Sequence, residues 1–181
     1  MPIARLLATL ILGLLLVPAV TPVVAEESLS HYRLDVGDKL RITVFGHKEL
    51  SGEFVVSGSG EVVMPLIQGV RGRGLTTAEL ARAIADRLRP DYLVNPRVSV
   101  ELLGYRPFYI LGEVQKPGDY PYVEGMTVLN AVALAGGFAP HARRDKVFIE
   151  RGRGASRKKY KAAVTAPVRP GDIITVRERF F

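Results

Sequence analysis

The sequence contains no cysteine. That excludes a disulfide framework and any thiolate nucleophile or thiolate metal site, so packing alone must hold the core. It also removes the thioether point at which a bacterial lipoprotein would be acylated. Histidine is scarce, and His31, His47 and His141 stand apart, with no second histidine or acid at ligand spacing. No metal site and no cofactor are therefore expected. Long apolar runs are absent after residue 25, which leaves no later stretch of membrane-spanning length.

The one apolar run is at the start. Leu6 to Val20 is broken only by Thr9, Gly13 and Pro18, and follows a single basic residue, Arg5. Small residues at Val23 and Ala25 suit a signal peptidase, and Pro18 and Pro22 end the leader helix. Residues 1–25 are expected to be a secretory leader cut between Ala25 and Glu26, with an uncleaved anchor as the alternative. Removing 25 of the 181 residues leaves 156, enough for one or two small domains. It leaves 24 basic against 18 acidic residues, a net charge of +6.

Strand and helix signals then alternate. Leu40, Ile42 and Val44 alternate with polar neighbours, a strand with one buried face, launched by the turn residues Gly37 and Asp38. Strands are expected at 53–57 and 61–65, joined by the hairpin-type connection Gly58-Ser59-Gly60, with a flexible loop at 69–74. Thr76 and Glu79 form a capping box that opens a helix bearing Leu80, Ile84 and Leu88 on one face, and Pro90 ends it. A further strand is expected at 97–103.

Gly104-Tyr105-Arg106-Pro107 marks a boundary. Beyond it come strands at 108–114 and 120–123 around the turn that contains Pro117 and Gly118. A second helix follows, with Thr127 as its N-cap and Gly136-Gly137 as its stop. Three more strands are expected at 146–150, 158–162 and 172–177. The fold class is α+β: a strand-rich unit with one helix over 26–103, then a β-grasp module over 104–181. Val36-Gly37-Asp38 and Pro170-Gly171-Asp172 each precede a strand, which reads as shared turn chemistry and not as internal duplication.

Residue patterns for catalysis are missing. Ser59 lacks the Gly-x-Ser-x-Gly frame of a nucleophile elbow. Asp35, Asp38, Asp119 and Asp172 sit beside turn residues, where a carboxylate bonds nearby backbone N–H groups. No catalytic residue is predicted. Charge is more suggestive, since nine basic residues crowd 141–161 against Asp145 and Glu150. Among them Arg143, Arg144, Arg151, Arg153, Arg157, Lys158 and Lys159 are candidate contacts for an anionic polymer or a partner. A solvated, aggregation-resistant loop is the competing reading. Nucleic acid is not an expected partner, because aromatic residues that could stack bases are too sparse along the patch.

Several blocks carry a family resemblance. Tyr32-Arg33-Leu34-Asp35-Val36-Gly37-Asp38, with Val63-Met64-Pro65-Leu66-Ile67 and the helix start Gly74-Leu75-Thr76, resembles the N-terminal domain of bacterial polysaccharide export proteins. Leu111-Gly112-Glu113-Val114-Gln115-Lys116-Pro117-Gly118 and the run from Gly125 to Gly137 resemble the soluble-ligand-binding β-grasp module that follows it. Gly37, Asp38, Gly112, Glu113, Pro117, Gly118, Gly136 and Gly137 are then turn and cap residues of the fold, not sugar contacts.

The resemblance implies a non-enzymatic, periplasmic part in exporting capsular or extracellular polysaccharide. It implies ring-shaped homo-oligomers docked against an inner-membrane co-polymerase, often paired with a tyrosine kinase. A periplasmic glycan-binding adaptor without its own channel, and a polysaccharide-modifying enzyme, are the rival readings. Pore-forming members carry an acylated cysteine, further ligand-binding modules and a C-terminal amphipathic helix. This sequence shows none of them, so outer-membrane attachment is expected to come through a partner. Gln68 also interrupts what is usually Pro-Leu-Ile-Gly, which predicts a longer turn before Val70.

Overall fold

The computed structural model describes residues 32–179. The predicted leader with its Ala25–Glu26 bond, together with His31, Phe180 and Phe181, lies outside the described residues. Among the described residues there are two hydrophobic cores, one on each side of residues 104–107.

The first half is built on β1 (Lys39–Val44), whose Leu40, Ile42 and Val44 are buried while Lys39 and Arg41 face solvent. It sits between β2 (Gly52–Val55) and β5 (Val98–Gly104), both antiparallel to it. β3 (Glu61–Met64) and β4 (Gln68–Arg71) form a separate two-stranded ribbon. The Gly58-Ser59-Gly60 connection therefore does not join a hairpin, because β2 and β3 belong to different sheets. The turn signal was local, whereas strand pairing follows which apolar rows meet in the core.

The stretch expected as a loop at 69–74 is also corrected, since Gln68–Arg71 is strand and Val70 is buried opposite Val62. Glycine hid it. A Cβ on Gly69 would stand 2.8 Å from the Glu61 carboxylate, and one on Gly72 would stand 3.2 Å from Val62. Gly72 is close-packed against Val62, whereas the Glu61 carboxylate beside Gly69 is the end of an exposed, flexible side chain. Three residues, Pro65 to Ile67, connect the ribbon, with Leu66 and Gln68 at φ +68° and +54°.

α1 (Thr77–Leu88) opens with the expected capping box. The Glu79 N–H donates to the Thr76 hydroxyl, and the Thr76 N–H donates to the Glu79 carboxylate. That backbone donor holds the Glu79 carboxyl below the usual carboxylate range. Leu80, Ile84 and Leu88 are fully buried one turn apart and pack with β1 and β5 into a single core.

The second half is a five-stranded sheet in the order β7 (Gly118–Tyr120), β6 (Phe108–Gly112), β10 (Ile173–Val176), β8 (Lys146–Arg151), β9 (Lys158–Ala163). The expected strand at 120–123 is thus a shorter one ending at Tyr120. First and last strands run parallel at the centre and the other pairs are antiparallel. Parallel neighbours need a long crossover, and it carries α2 (Val128–Leu134). This is the β-grasp arrangement, with Val128, Ala131 and Val132 of α2 packed on Phe108, Ile110, Ile149 and Ile174.

Thr127 caps α2, accepting from the Asn130 N–H. At its other end the Gly137 and Gly136 N–H groups donate to the carbonyls of Val132 and Ala133, a Schellman closure with both glycines at positive φ. Gly112 is constrained more tightly still. It has φ +85°, and a Cβ there would collide with the Val176 carbonyl oxygen, the acceptor of the Glu113 N–H.

Candidate functional site

The two Gly-Asp turns fold alike. In the first, the Asp35 N–H donates to Asp38 Oδ2 at 2.8 Å and the Asp38 N–H donates to the Asp35 carbonyl at 3.1 Å. In the second, the Arg169 N–H donates to Asp172 Oδ2 at 2.8 Å and the Asp172 N–H to the Arg169 carbonyl at 3.1 Å. The glycine before each aspartate has positive φ, +94° at Gly37 and +81° at Gly171. Each turn leads straight into a central strand, β1 or β10, and its aspartate is fully buried.

A buried carboxylate must be paired to be tolerated. Asp172 is gripped by Arg151, whose Nε and Nη2 donate at 2.8 and 2.7 Å. This two-point grip holds the Arg151 pKa above its ordinary value. Asp38 is met differently. It accepts the Tyr32 hydroxyl at 2.8 Å and the backbone N–H of Arg106 at 2.9 Å, while the Arg106 guanidinium stands 3.4 Å away. Burial first, and the Asp38 charge second, push the Tyr32 ionisation up, so this hydroxyl stays a donor.

Arg106 therefore joins the two halves. Its guanidinium also donates to the Tyr32 oxygen at 2.8 Å and lies against the second turn, 2.7 Å from where a Gly171 Cβ would be. Around it, Tyr32, Tyr105 and Tyr122 stack edge to face at 4.9 and 5.1 Å, linking first half, connector and second half. Asp35 completes the joint. Arg73 at 3.2 Å, Arg106 at 3.7 Å and Arg153 at 3.8 Å surround its carboxylate.

The predicted basic patch divides. Arg151 and Arg153 face the joint, Lys159 is paired with Glu150 at 2.7 Å, and Arg157 and Lys158 stay exposed at the β8–β9 connection. Arg143 and Arg144 lie elsewhere, on the rim of a cleft of about 800 Å³ at the far end of the sheet. Strand alternation brings Lys146 and Phe148 of β8 to this face, and pairing sets Lys161 of β9 opposite Phe148. Arg177, just past β10, lies 4.1 Å over the Phe148 ring.

Sequence reasoning missed Arg106 as a functional residue, taking it only for a boundary, and missed Arg177. The twin turns held the one usable signal, since each buried aspartate requires a cation. Among the described residues, no group of three His, Cys, Asp or Glu side chains could hold a metal ion, and no helix is long and apolar enough to cross a membrane.

Comparison with known proteins follows the same division. Residues 26–103 match the family described as polysaccharide biosynthesis/export protein, and residues 107–160 match the SLBB domain. Arg106 falls in the short gap between them. The exopolysaccharide production protein ExoF of Rhizobium meliloti (strain 1021) is 39% identical over 118 residues, 59% of this chain and 28% of that protein. The polysialic acid transport protein KpsD of Escherichia coli is 28% identical over 111 residues, 60% of this chain and 20% of that protein. The chain thus spans less than a third of either relative. It carries a domain of the polysaccharide biosynthesis/export protein family followed by an SLBB domain, the succession that the sequence resemblance implies.

Proposed function

We propose that the protein is a non-enzymatic, periplasmic component of an apparatus that exports capsular or extracellular polysaccharide. In this reading residues 1–25 are removed, 26–103 form the export domain, and 104–181 form the β-grasp domain. Copies assemble into a ring that contributes to a conduit and docks on an inner-membrane co-polymerase with its tyrosine kinase. Attachment to the outer membrane comes through a partner.

The observation that carries it is the ordered pair of family matches over 26–160, in halves pinned together by Arg106. The names of the two relatives, one in exopolysaccharide production and one in polysialic acid transport, support a polysaccharide as the cargo. A non-catalytic role is supported by the two fully buried aspartates, Asp38 and Asp172. Asp38 is engaged by arginine and two backbone N–H groups and Asp172 by arginine and one, an arrangement suited to structure and not to proton transfer. Deleting the protein is expected to abolish surface polysaccharide. Wild-type amounts after deletion reject the proposal, and a purified protein that stays monomeric in mild detergent reduces it to a glycan-binding adaptor.

A further inference from the structure

The geometry points to the cleft at the β8–β9–β10 end of the second half as a binding site for a carboxylated polysaccharide segment, an inference whose glycan ligand rests on the export reading. Six basic residues line this cleft against two acidic ones, Asp145 and Glu178. Asp145 is already engaged by Arg143, which donates to both its oxygens at 2.9 and 3.5 Å. Arg144, Lys146 and Lys161 are exposed and have no ion-pair partner among the described residues. The excess of positive charge in this concavity is mutually repulsive, and an anion that enters relieves that repulsion.

The cleft is a built feature of the fold. Its rim is a short antiparallel pairing in which the Arg143 N–H donates to the Arg177 carbonyl and the Arg179 N–H to the His141 carbonyl, both at 2.8 Å. Phe148 lines it, with the Arg177 guanidinium carbon 4.1 Å from the ring centroid. A guanidinium seated on an aromatic ring presents a two-pronged donor to a carboxylate, with Arg144 and two lysines lining the same cleft. Several cations along one groove match a chain that carries charge at intervals. A concave site excludes a flat lipid surface, and Arg177 covers the ring face that a nucleobase would need for stacking.

The test is titration of the mature chain with polygalacturonate, a polyuronate, against neutral dextran. Binding of the polyuronate is expected to weaken as salt rises through about 0.1 M. The triple variant R144Q/K146Q/K161Q is expected to lose about ten-fold in affinity. The charge-matched variant R153Q/R157Q/K158Q, at the β8–β9 connection, is expected to lose less than about three-fold. Equal losses in the two variants, equal binding of dextran, or no polyuronate binding each overturn the proposal. Capture of phosphatidylglycerol vesicles without polyuronate binding overturns it in favour of a lipid headgroup. Should the triple variant melt early, K161Q alone at low salt carries the test, with about a two-fold loss expected. Failure here leaves the export reading standing, because deletion tests that separately.

Discussion

Asp38 and Asp172 occupy the same turn at the same distances, yet their cations come from different places. Arg151 reaches Asp172 from the neighbouring strand of its own sheet, 21 residues away. Asp38 draws its partner from the connector, 68 residues away, and takes a backbone N–H as well as a guanidinium. One turn therefore closes a module and the other closes the joint between modules. A portable local motif gains its architectural meaning from where its counter-charge originates.

The strongest way to break this comparison is to remove the acids. D38A and D172A each leave a half-buried guanidinium without its main partner and backbone N–H groups without acceptors. Each is expected to cost about 3–5 kcal/mol. Hydrogen exchange separates them. D172A should deprotect β10 and β8 alone, whereas D38A should deprotect β1 together with the connector. Identical exchange maps would show that the two turns do not differ in role.

Removing the cations gives a smaller and asymmetric effect. After R151Q, Asp172 keeps one backbone donor, from Arg169, so the loss should approach about 3 kcal/mol. After R106Q, Asp38 still has the N–H groups of Asp35 and residue 106 and the Tyr32 hydroxyl, so the loss should be about 1–1.5 kcal/mol. Urea unfolding measures both. A cost for R106Q that matches R151Q would mean that the guanidinium, and not the backbone, carries the joint.

The two turns also mark how far sequence reading reaches. Signals closed within four or five residues were legible: the alternation of β1, the Thr76–Glu79 box, the Gly136-Gly137 stop and the turns themselves. Pairings that depend on distant chain were not. Nothing near Arg106 announces Asp38, and the strand through Gly69 was masked because only its pairing with β3 across the ribbon defines it. The basic run looked continuous along the chain. Yet strand alternation and turns divided it between the joint and the cleft, where the β8–β9 register and the end of β10 supplied Lys161 and Arg177.

The finest test of the joint uses the two glycines. G171A and G37A both place a side chain at positive φ, each costing about 1–2 kcal/mol. Their neighbours differ. The three atoms nearest to a Gly171 Cβ all belong to the Arg106 side chain, at 2.7 Å and beyond, all of them past its Cβ. A Gly37 Cβ instead meets the Arg106 Cβ, at 3.3 Å, and alanine keeps that atom. In an R106A background, G171A should therefore lose its collision and keep only its backbone strain, a coupling of about 0.5–1 kcal/mol. G37A should simply add to R106A. Double-mutant cycles from urea midpoints read both. Additivity for both glycines would mean that the second turn does not feel Arg106, and coupling confined to Gly171 places the guanidinium as the wedge between the halves.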